Sequence, residues 1–175
     1  MTSSNSNSNS NSNSNSNSNN NSNKSIYLIF TPFILIFLVG IIVPINNSPH
    51  RPIFQPPNWF FGVAWTYISL SFGYVSYIYY TKNIISSKRK ELIIFYCVLL
   101  GLINIWPFLN YYKLYNYAFF ELVITCYASI MYLVFLLTYS TQNANHKYIL
   151  FLIPLQFWLV LASCLNGVIY DYVSG

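Results

Sequence analysis

Five long apolar stretches, separated by short polar connections, dominate this sequence. They cover residues 26–44, 59–81, 92–111, 117–139 and 148–170, and each is about 19–23 residues long. A helix needs about 20 residues to cross the hydrocarbon core of a bilayer, and it satisfies its own backbone hydrogen bonds there. The pattern therefore predicts an all-α membrane protein, a compact bundle of five transmembrane helices.

The charge content agrees with this prediction and excludes another class. Only 6% of the residues are charged and 55% are hydrophobic, whereas a soluble domain has about 25% charged residues. The net charge of +5 does not indicate a nucleic-acid partner, because the basic residues lie in connections between apolar stretches. Tyrosines crowd the ends of these stretches, as expected for side chains at a membrane–water interface.

The chain divides into two parts. Residues 1–25 are a repeat of serine and asparagine, which has nothing apolar to bury and is predicted to be a disordered tail. Residues 26–175 form the single transmembrane domain. A possible role for the tail is to recruit partners, which would make the protein a membrane adaptor.

The basic residues are distributed unequally between the two ends of the predicted bundle. The N-terminal side has Lys24, Lys82, Lys88, Arg89, Lys90 and Lys147, whereas the other side has Arg51 and Lys113. The positive-inside rule therefore predicts a cytosolic N-terminus.

The longest connection, residues 45–58, is rich in proline. It contains Pro49, Arg51, Pro52, Pro56 and Pro57. Because proline restricts its own backbone and that of the preceding residue, this loop is expected to be stiff. It could form a lid over one end of the bundle, or it could be a simple linker.

Several side chains in the apolar stretches indicate a cavity. Trp158, Ala162 and Asn166 follow at spacings of four residues and share one stripe of a helix, and Phe61 and Trp65 likewise share a face. Asn104 and Trp106 precede Pro107, which is expected to kink or end the third helix. A cavity lined by tryptophan with a few amides suits a flat, mostly apolar ligand. The alternatives are interfacial anchoring for the tryptophans and helix packing for the small residues.

Conventional catalytic groups are sparse. His50 and His146 fall in predicted loops, and the three cysteines, Cys97, Cys126 and Cys164, fall in separate apolar stretches. Glu121 is one turn into the fourth stretch and is expected near the lipid headgroups. We therefore expect no metal site, no covalent cofactor and no hydrolytic chemistry.

The segment RPIFQPPNWFFGVAWTYISLSFGYVSY, which begins at Arg51, resembles the signature of the translocator protein family, also called TspO or the peripheral-type benzodiazepine receptor. The matching residues are Pro56, Pro57, Trp59, Gly62, Trp65, Gly73, Tyr74, Ser76 and Tyr77. Two further blocks agree: Trp106-Pro107, and a PxxxWxxxAxxLN pattern that runs from Pro154 to Asn166. The resemblance covers about residues 51–172.

The resemblance implies five helices around a pocket that the first loop closes. The implied ligand-binding residues are Phe61, Trp65, Asn104, Trp106, Tyr117, Trp158, Ala162, Leu165 and Asn166. Asn104 lies two residues before Trp106, whereas the family has its asparagine three residues before. That difference turns the side chain by about 100° around the helix.

The resemblance also implies a ligand and a setting. It implies a pocket for porphyrin or haem and a role in tetrapyrrole transport or homeostasis. Sterol binding is one alternative, although Gly167 replaces the tyrosine of the animal cholesterol motif and no basic residue follows Tyr170 and Asp171. Oxygen-dependent porphyrin degradation is another, with Trp65 and Trp158 as its candidate residues. The family further suggests a homodimer and the mitochondrial outer membrane, with the endoplasmic reticulum as the alternative location.

Overall fold

The computed structural model describes residues 25–43 and 54–174. These described residues form five α-helices: α1 (Tyr27–Ile42), α2 (Asn58–Ile78), α3 (Arg89–Tyr111), α4 (Tyr115–Thr138) and α5 (Ile153–Ser174). The predicted number of helices is confirmed, and their ends differ from the predicted ones by a few residues. Most of the N-terminal tail, and Pro49, Arg51 and Pro52 of the predicted lid, lie outside the described residues.

Three short non-α segments extend these helices. A π-helical turn, Tyr79–Asn83, continues α2, and a 3₁₀ turn, Ser86–Lys88, leads into α3. A longer 3₁₀ segment, His146–Leu152, precedes α5, so the fifth apolar stretch begins in 3₁₀ conformation rather than as the predicted α-helix.

The apolar helices differ in length and composition. Together with their 3₁₀ turns, α3, α4 and α5 are long and apolar enough to cross a membrane, whereas α1 is a shorter apolar helix of 16 residues. Helix α2 is 21 residues long but carries Asn58, Thr66 and three serines, and it is not among these three helices.

The helices pack around the bundle in the order α1, α2, α5, α4 and α3. Helix α1 lies against α2 and α3, α4 packs between α3 and α5, and the 3₁₀ segment before α5 closes onto α2. The contact between α1 and α2 depends on Gly73, since a Cβ atom there would collide with the backbone carbonyl oxygens of Leu28 and Ile29. The Tyr96 hydroxyl donates to the Leu28 carbonyl oxygen at 3.0 Å and ties α3 to α1.

One end of the bundle is densely packed, and we call it the packed half. It comprises Ile68–Ile78 of α2 and the residues that surround them from the start of α3, the end of α4 and the start of α5. The Phe72 ring stacks on Tyr96 with ring centroids 5.0 Å apart. The hydroxyl groups of Ser76 and Tyr132 lie 2.7 Å apart and form a buried hydrogen bond between α2 and α4.

Helix α3 does not end at Pro107. It continues to Tyr111, although proline lacks the N–H group that would pair with the carbonyl group of the preceding turn. The Asn110 amide donates to the Trp106 carbonyl oxygen at 3.1 Å. The residues before and after Pro107 therefore belong to one continuous helix and lie at the same end of the bundle.

Candidate ligand-binding cavity

The end of the bundle opposite the packed half contains a cavity of about 570 Å³. Its walls are the first half of α2, the last third of α3 and the second half of α5, and α1 closes one side. We call this end the cavity half. The volume lies within the range of about 300–1,000 Å³ that is typical of small-molecule sites.

Aromatic rings meet at one wall of the cavity. The buried Trp158 ring lies edge-on to Phe61 and Trp65, with ring centroids 5.2 and 5.9 Å away and interplanar angles of 80° and 77°. Such edge-to-face packing fixes ring orientation. The wall is therefore apolar, and its rings hold one another in position.

Several residues that line the cavity carry buried polar atoms without hydrogen-bond partners. Five such atoms belong to lining residues and have no hydrogen-bond partner among the described residues. They are the amide oxygens of Gln55, Asn104 and Asn166 and the indole Nε1 atoms of Trp106 and Trp158. Buried polar groups are normally hydrogen-bonded, so this cluster provides three acceptors and two donors for a ligand.

The two asparagines are oriented by their own helices. The side-chain nitrogen of Asn104 donates to the Leu100 carbonyl oxygen at 2.7 Å, and that of Asn166 donates to Ala162 at 2.9 Å. Each side-chain NH₂ group thus donates a hydrogen bond to a backbone carbonyl of its own helix, one turn earlier in the chain. The amide oxygen is left as an acceptor at the cavity.

The described lining residues include no lysine, arginine, aspartate or glutamate. A charged group would be poorly solvated in such a space, because transfer of an unpaired charge from water costs much free energy. The cavity therefore favours a ligand with an uncharged body, and any charged substituent belongs at the cavity mouth.

The structure brings together most of the residues predicted to bind a ligand. Those that line the cavity are Phe61, Trp65, Asn104, Trp106, Trp158, Ala162, Leu165 and Asn166. Asn104 reaches the cavity despite its offset of one residue from the family pattern. Their role in binding stays a prediction.

The structure does not place Tyr117 at the cavity. Its side chain is 61% exposed on the outside of the bundle. Tyr115, at the start of α4, is buried and lines the cavity. Residues two positions apart in a helix point about 200° apart around its axis. Tyr115 therefore faces inward, whereas Tyr117 faces outward.

The described part of the predicted lid contributes two lining residues to the cavity, Gln55 and Asn58. Pro57 has a φ of −61° and immediately precedes α2, which suits a residue with a fixed backbone. Gln55 lines the cavity, whereas Pro56 and Pro57 do not. The covering role of the loop stays a prediction.

Sequence reasoning missed the side chains that α1 contributes to the cavity, as well as Gln55 and Tyr115. Phe33, Ile36 and Phe37 are among the α1 residues that line it. The α1 sequence is apolar on every side. No change of polarity marks the face that turns inward, so its amino-acid pattern holds no signal for the cavity.

The structure places Glu121 in the interior of the bundle, and its depth near the headgroups stays a prediction. Its side chain is only 9% exposed, and the Thr125 hydroxyl donates to its Oε1 atom at 2.5 Å. Distance from the end of a helix does not determine which face a residue occupies. Here the face is interior.

Comparison with known proteins identifies relatives of this chain. The model of the TspO/MBR family matches residues 28–171, a range that contains the described lining residues. A curated protein of Archaeoglobus fulgidus, "Tryptophan-rich protein TspO", is 32% identical over 122 residues, which are 69% of this chain and 74% of that protein.

Proposed function

This chain belongs to the TspO/MBR family, and on that premise we propose that its cavity binds a porphyrin or haem noncovalently. The protein would then act in tetrapyrrole transport or homeostasis. Family membership and the apolar helices make it an integral multi-pass membrane protein, which is a suitable host for an apolar ring system.

The observation that carries this proposal is the combination of an aromatic wall with five unpaired polar atoms. A tetrapyrrole has a flat aromatic body that can pack against Trp65 and Trp158. Its two carboxylic side chains carry hydrogen-bonding oxygens at the edge of the ring, whereas its pyrrole nitrogens point to the centre of the ring. These edge groups can pair with some of the unpaired atoms, and unpaired buried groups otherwise cost about 1–3 kcal/mol each.

A sterol fits the cavity chemistry less well. It presents an aliphatic ring system and one hydroxyl group, which can donate one hydrogen bond and accept two, so at least two of the five buried polar atoms would remain unpaired. Since specificity depends on pairing these groups, the cavity favours the ligand with more polar atoms.

The carboxylates of a porphyrin would lie at the cavity mouth, because the described lining residues are uncharged. Lys113 is exposed in the short connection between α3 and α4 at that end of the bundle. It is suitably placed to offer a positive charge there.

We further propose that all five helices cross the bilayer. Helix α2 is 21 residues long, which corresponds to about 31 Å at 1.5 Å per residue. The short helix α1 packs directly on α2 and α3. The mitochondrial outer membrane and a homodimer are the corresponding proposals for location and assembly, with the endoplasmic reticulum as the alternative location.

A second candidate function is oxygen-dependent breakdown of the bound porphyrin. The specific observation in its favour is the contact between two oxidisable indole rings, Trp65 and Trp158, at the cavity wall. Illumination with protoporphyrin in air separates this activity from binding alone. Loss of porphyrin absorbance should then be faster with the wild-type protein than with Trp65→Phe, and equal rates would contradict it.

Binding itself is tested by titrating protoporphyrin into the purified protein and following porphyrin absorbance. We expect the Trp65→Ala, Trp158→Ala double variant to bind at least about tenfold more weakly, since each aromatic contact contributes about 0.5–1.5 kcal/mol. The matched control is Trp59→Ala, because Trp59 is 68% exposed and does not line the cavity. Unchanged affinity in the double variant, or an equal loss in the control, would contradict the assignment.

A further inference from the structure

A second pocket, of about 250 Å³, lies at the end of the bundle opposite the cavity. Tyr80, in the π-helical turn after α2, forms one side of it. Arg89, Lys90, Ile93 and Ile94, from the first turns of α3, form the rest. The pocket therefore combines two cations, a phenol ring and two aliphatic side chains.

The positive charge at this pocket is not neutralised by the described residues. Glu91 is the nearby acid, and Lys88 binds it with Nζ–O distances of 2.7 and 2.9 Å. Neither Arg89 nor Lys90 forms an ion pair with another residue that the structure describes. Lys82 and Lys147 lie in the turns at the same end of the bundle, which adds to the local positive potential.

Arg89 is held at the wall of the pocket. Its Cζ atom lies 5.7 Å from the centroid of the Tyr80 ring, within the range of a cation–π contact. Its enclosed Nε atom has no hydrogen-bond partner in the part of the chain that the structure describes. Helix α3 begins at Arg89 and carries Glu91 in its first turn, so the cationic side chains, and not the helix end, attract an anion here.

The apolar side of the pocket continues along the outside of α3. Ile94 is 60% exposed, and Val98, one turn further on, is also exposed. Residues four apart in a helix share a face. A cationic site directly above an exposed aliphatic face matches a molecule with an anionic head and a hydrocarbon chain.

We propose that this pocket binds the phosphate of an anionic phospholipid headgroup, with an acyl chain along Ile94 and Val98. A soluble phosphate could use the same cations but would leave the aliphatic face uncovered. A zwitterionic headgroup would bring its own cation close to Lys88, Arg89 and Lys90. The anionic lipid is thus the occupant that both parts of the surface favour, and this site is independent of the tetrapyrrole proposal.

Native mass spectrometry of the full chain, with phosphatidylglycerol or phosphatidylcholine of the same acyl chains, tests this inference. We expect phosphatidylglycerol to be retained in preference, and the Arg89→Gln, Lys90→Gln double variant to bind it about tenfold more weakly. The matched control, Lys82→Gln with Lys147→Gln, removes two charges from the same end outside the pocket and should lose less than about threefold. Equal losses in the two variants would overturn the site in favour of diffuse surface charge.

Two further measurements complete the test. Lys90→Gln alone changes an exposed side chain, and it should weaken phosphatidylglycerol binding even if the double variant does not fold. Glycerol phosphate is the soluble probe. It should not displace the lipid at millimolar concentration, and full displacement that depends on Arg89 would identify a soluble anion as the occupant and overturn the lipid assignment. Protoporphyrin affinity should be unchanged in all of these variants.

Discussion

The two halves of helix α2 differ in whether the buried polar groups around them have hydrogen-bond partners. In the packed half, the Ser76 hydroxyl is buried and pairs with both Tyr132 and the Phe72 carbonyl oxygen. In the cavity half, α2 lines open space opposite Asn104 and Asn166, whose amide oxygens have no partner among the described residues. The packed half is therefore built for stability. The cavity half holds unpaired groups that make sense as contacts to a ligand.

This contrast gives a physical criterion for the site. A hydrophobic lining alone does not distinguish a cavity from ordinary helix packing, because both halves are rich in aromatic side chains. Five of the nine unpaired buried side-chain atoms in the described residues belong to residues that line the cavity, and the other four belong to Asn83, Arg89, Glu121 and Gln156. This concentration favours the cavity as the site, since a structure without a binding role normally satisfies such groups. Substitutions in the packed half should change stability, whereas those in the cavity half should change binding.

The largest expected effect is at a glycine. Gly73→Ala should destabilise the protein by about 3 kcal/mol, the upper end for overpacking, because the added Cβ meets backbone carbonyls of α1 that cannot rotate away. Gly62→Ala is the control on the same helix, where a Cβ meets nothing within 4 Å. It should be neutral or stabilising by up to about 1 kcal/mol. Unfolding in a detergent titration measures both, and equal stabilities would contradict the close contact of α1 and α2.

The next effect is the loss of the buried hydrogen bond in the packed half. Tyr132→Phe should lower the free energy of unfolding by about 1 kcal/mol, because the Ser76–Tyr132 bond at 2.7 Å is lost. Porphyrin affinity should not change. Tyr127→Phe, on the exposed face of the same helix, should leave stability within about 0.5 kcal/mol of the wild type. A Tyr132→Phe variant as stable as the wild type would show that this pair is not a stabilising contact.

In the cavity half we expect the opposite response. Asn166→Leu removes the unpaired amide oxygen, so stability should stay the same or rise. Porphyrin should bind about 3- to 10-fold more weakly, because one or two hydrogen bonds of about 0.7 kcal/mol each are lost. The same detergent and porphyrin titrations measure the two quantities. Loss of stability with unchanged porphyrin affinity would place Asn166 in the packing rather than in the site.

The smallest effect is expected from the N-terminal tail. Removal of residues 2–23 should change porphyrin affinity by less than about twofold, because the family match begins at residue 28 and electrostatic influence from an uncharged repeat is small. An adaptor function would be lost in the same truncation. A large change in porphyrin affinity would show that the tail takes part in binding.

Much of this arrangement could be predicted from the sequence, for identifiable reasons. The five helices follow from the length of the apolar stretches. The face shared by Trp158, Ala162 and Asn166 follows from the helical repeat. The family resemblance then predicts that this face and Trp65 belong to the same pocket, and both line one cavity.

Other features depend on tertiary packing and leave no trace in the local pattern. Helix α1 is apolar on every side, so its inward face is defined only by contact with α2. Tyr115 and Tyr117 are chemically identical, and the rotation of α4 decides which one is buried. The same rotation places Glu121 inside the bundle. The rotation of each helix depends on its contacts with neighbouring helices, so the sequence of one helix alone does not determine it.

The most direct test of the central claim is to identify the small molecule that the protein retains when it is purified from its own membranes. Absorbance and mass spectrometry of the extracted ligand should show a tetrapyrrole at about one per chain in the wild-type protein and in Trp59→Ala. The Trp65→Ala, Trp158→Ala double variant should have lost it. A sterol in place of the tetrapyrrole, or a tetrapyrrole retained equally by the double variant, would contradict the account.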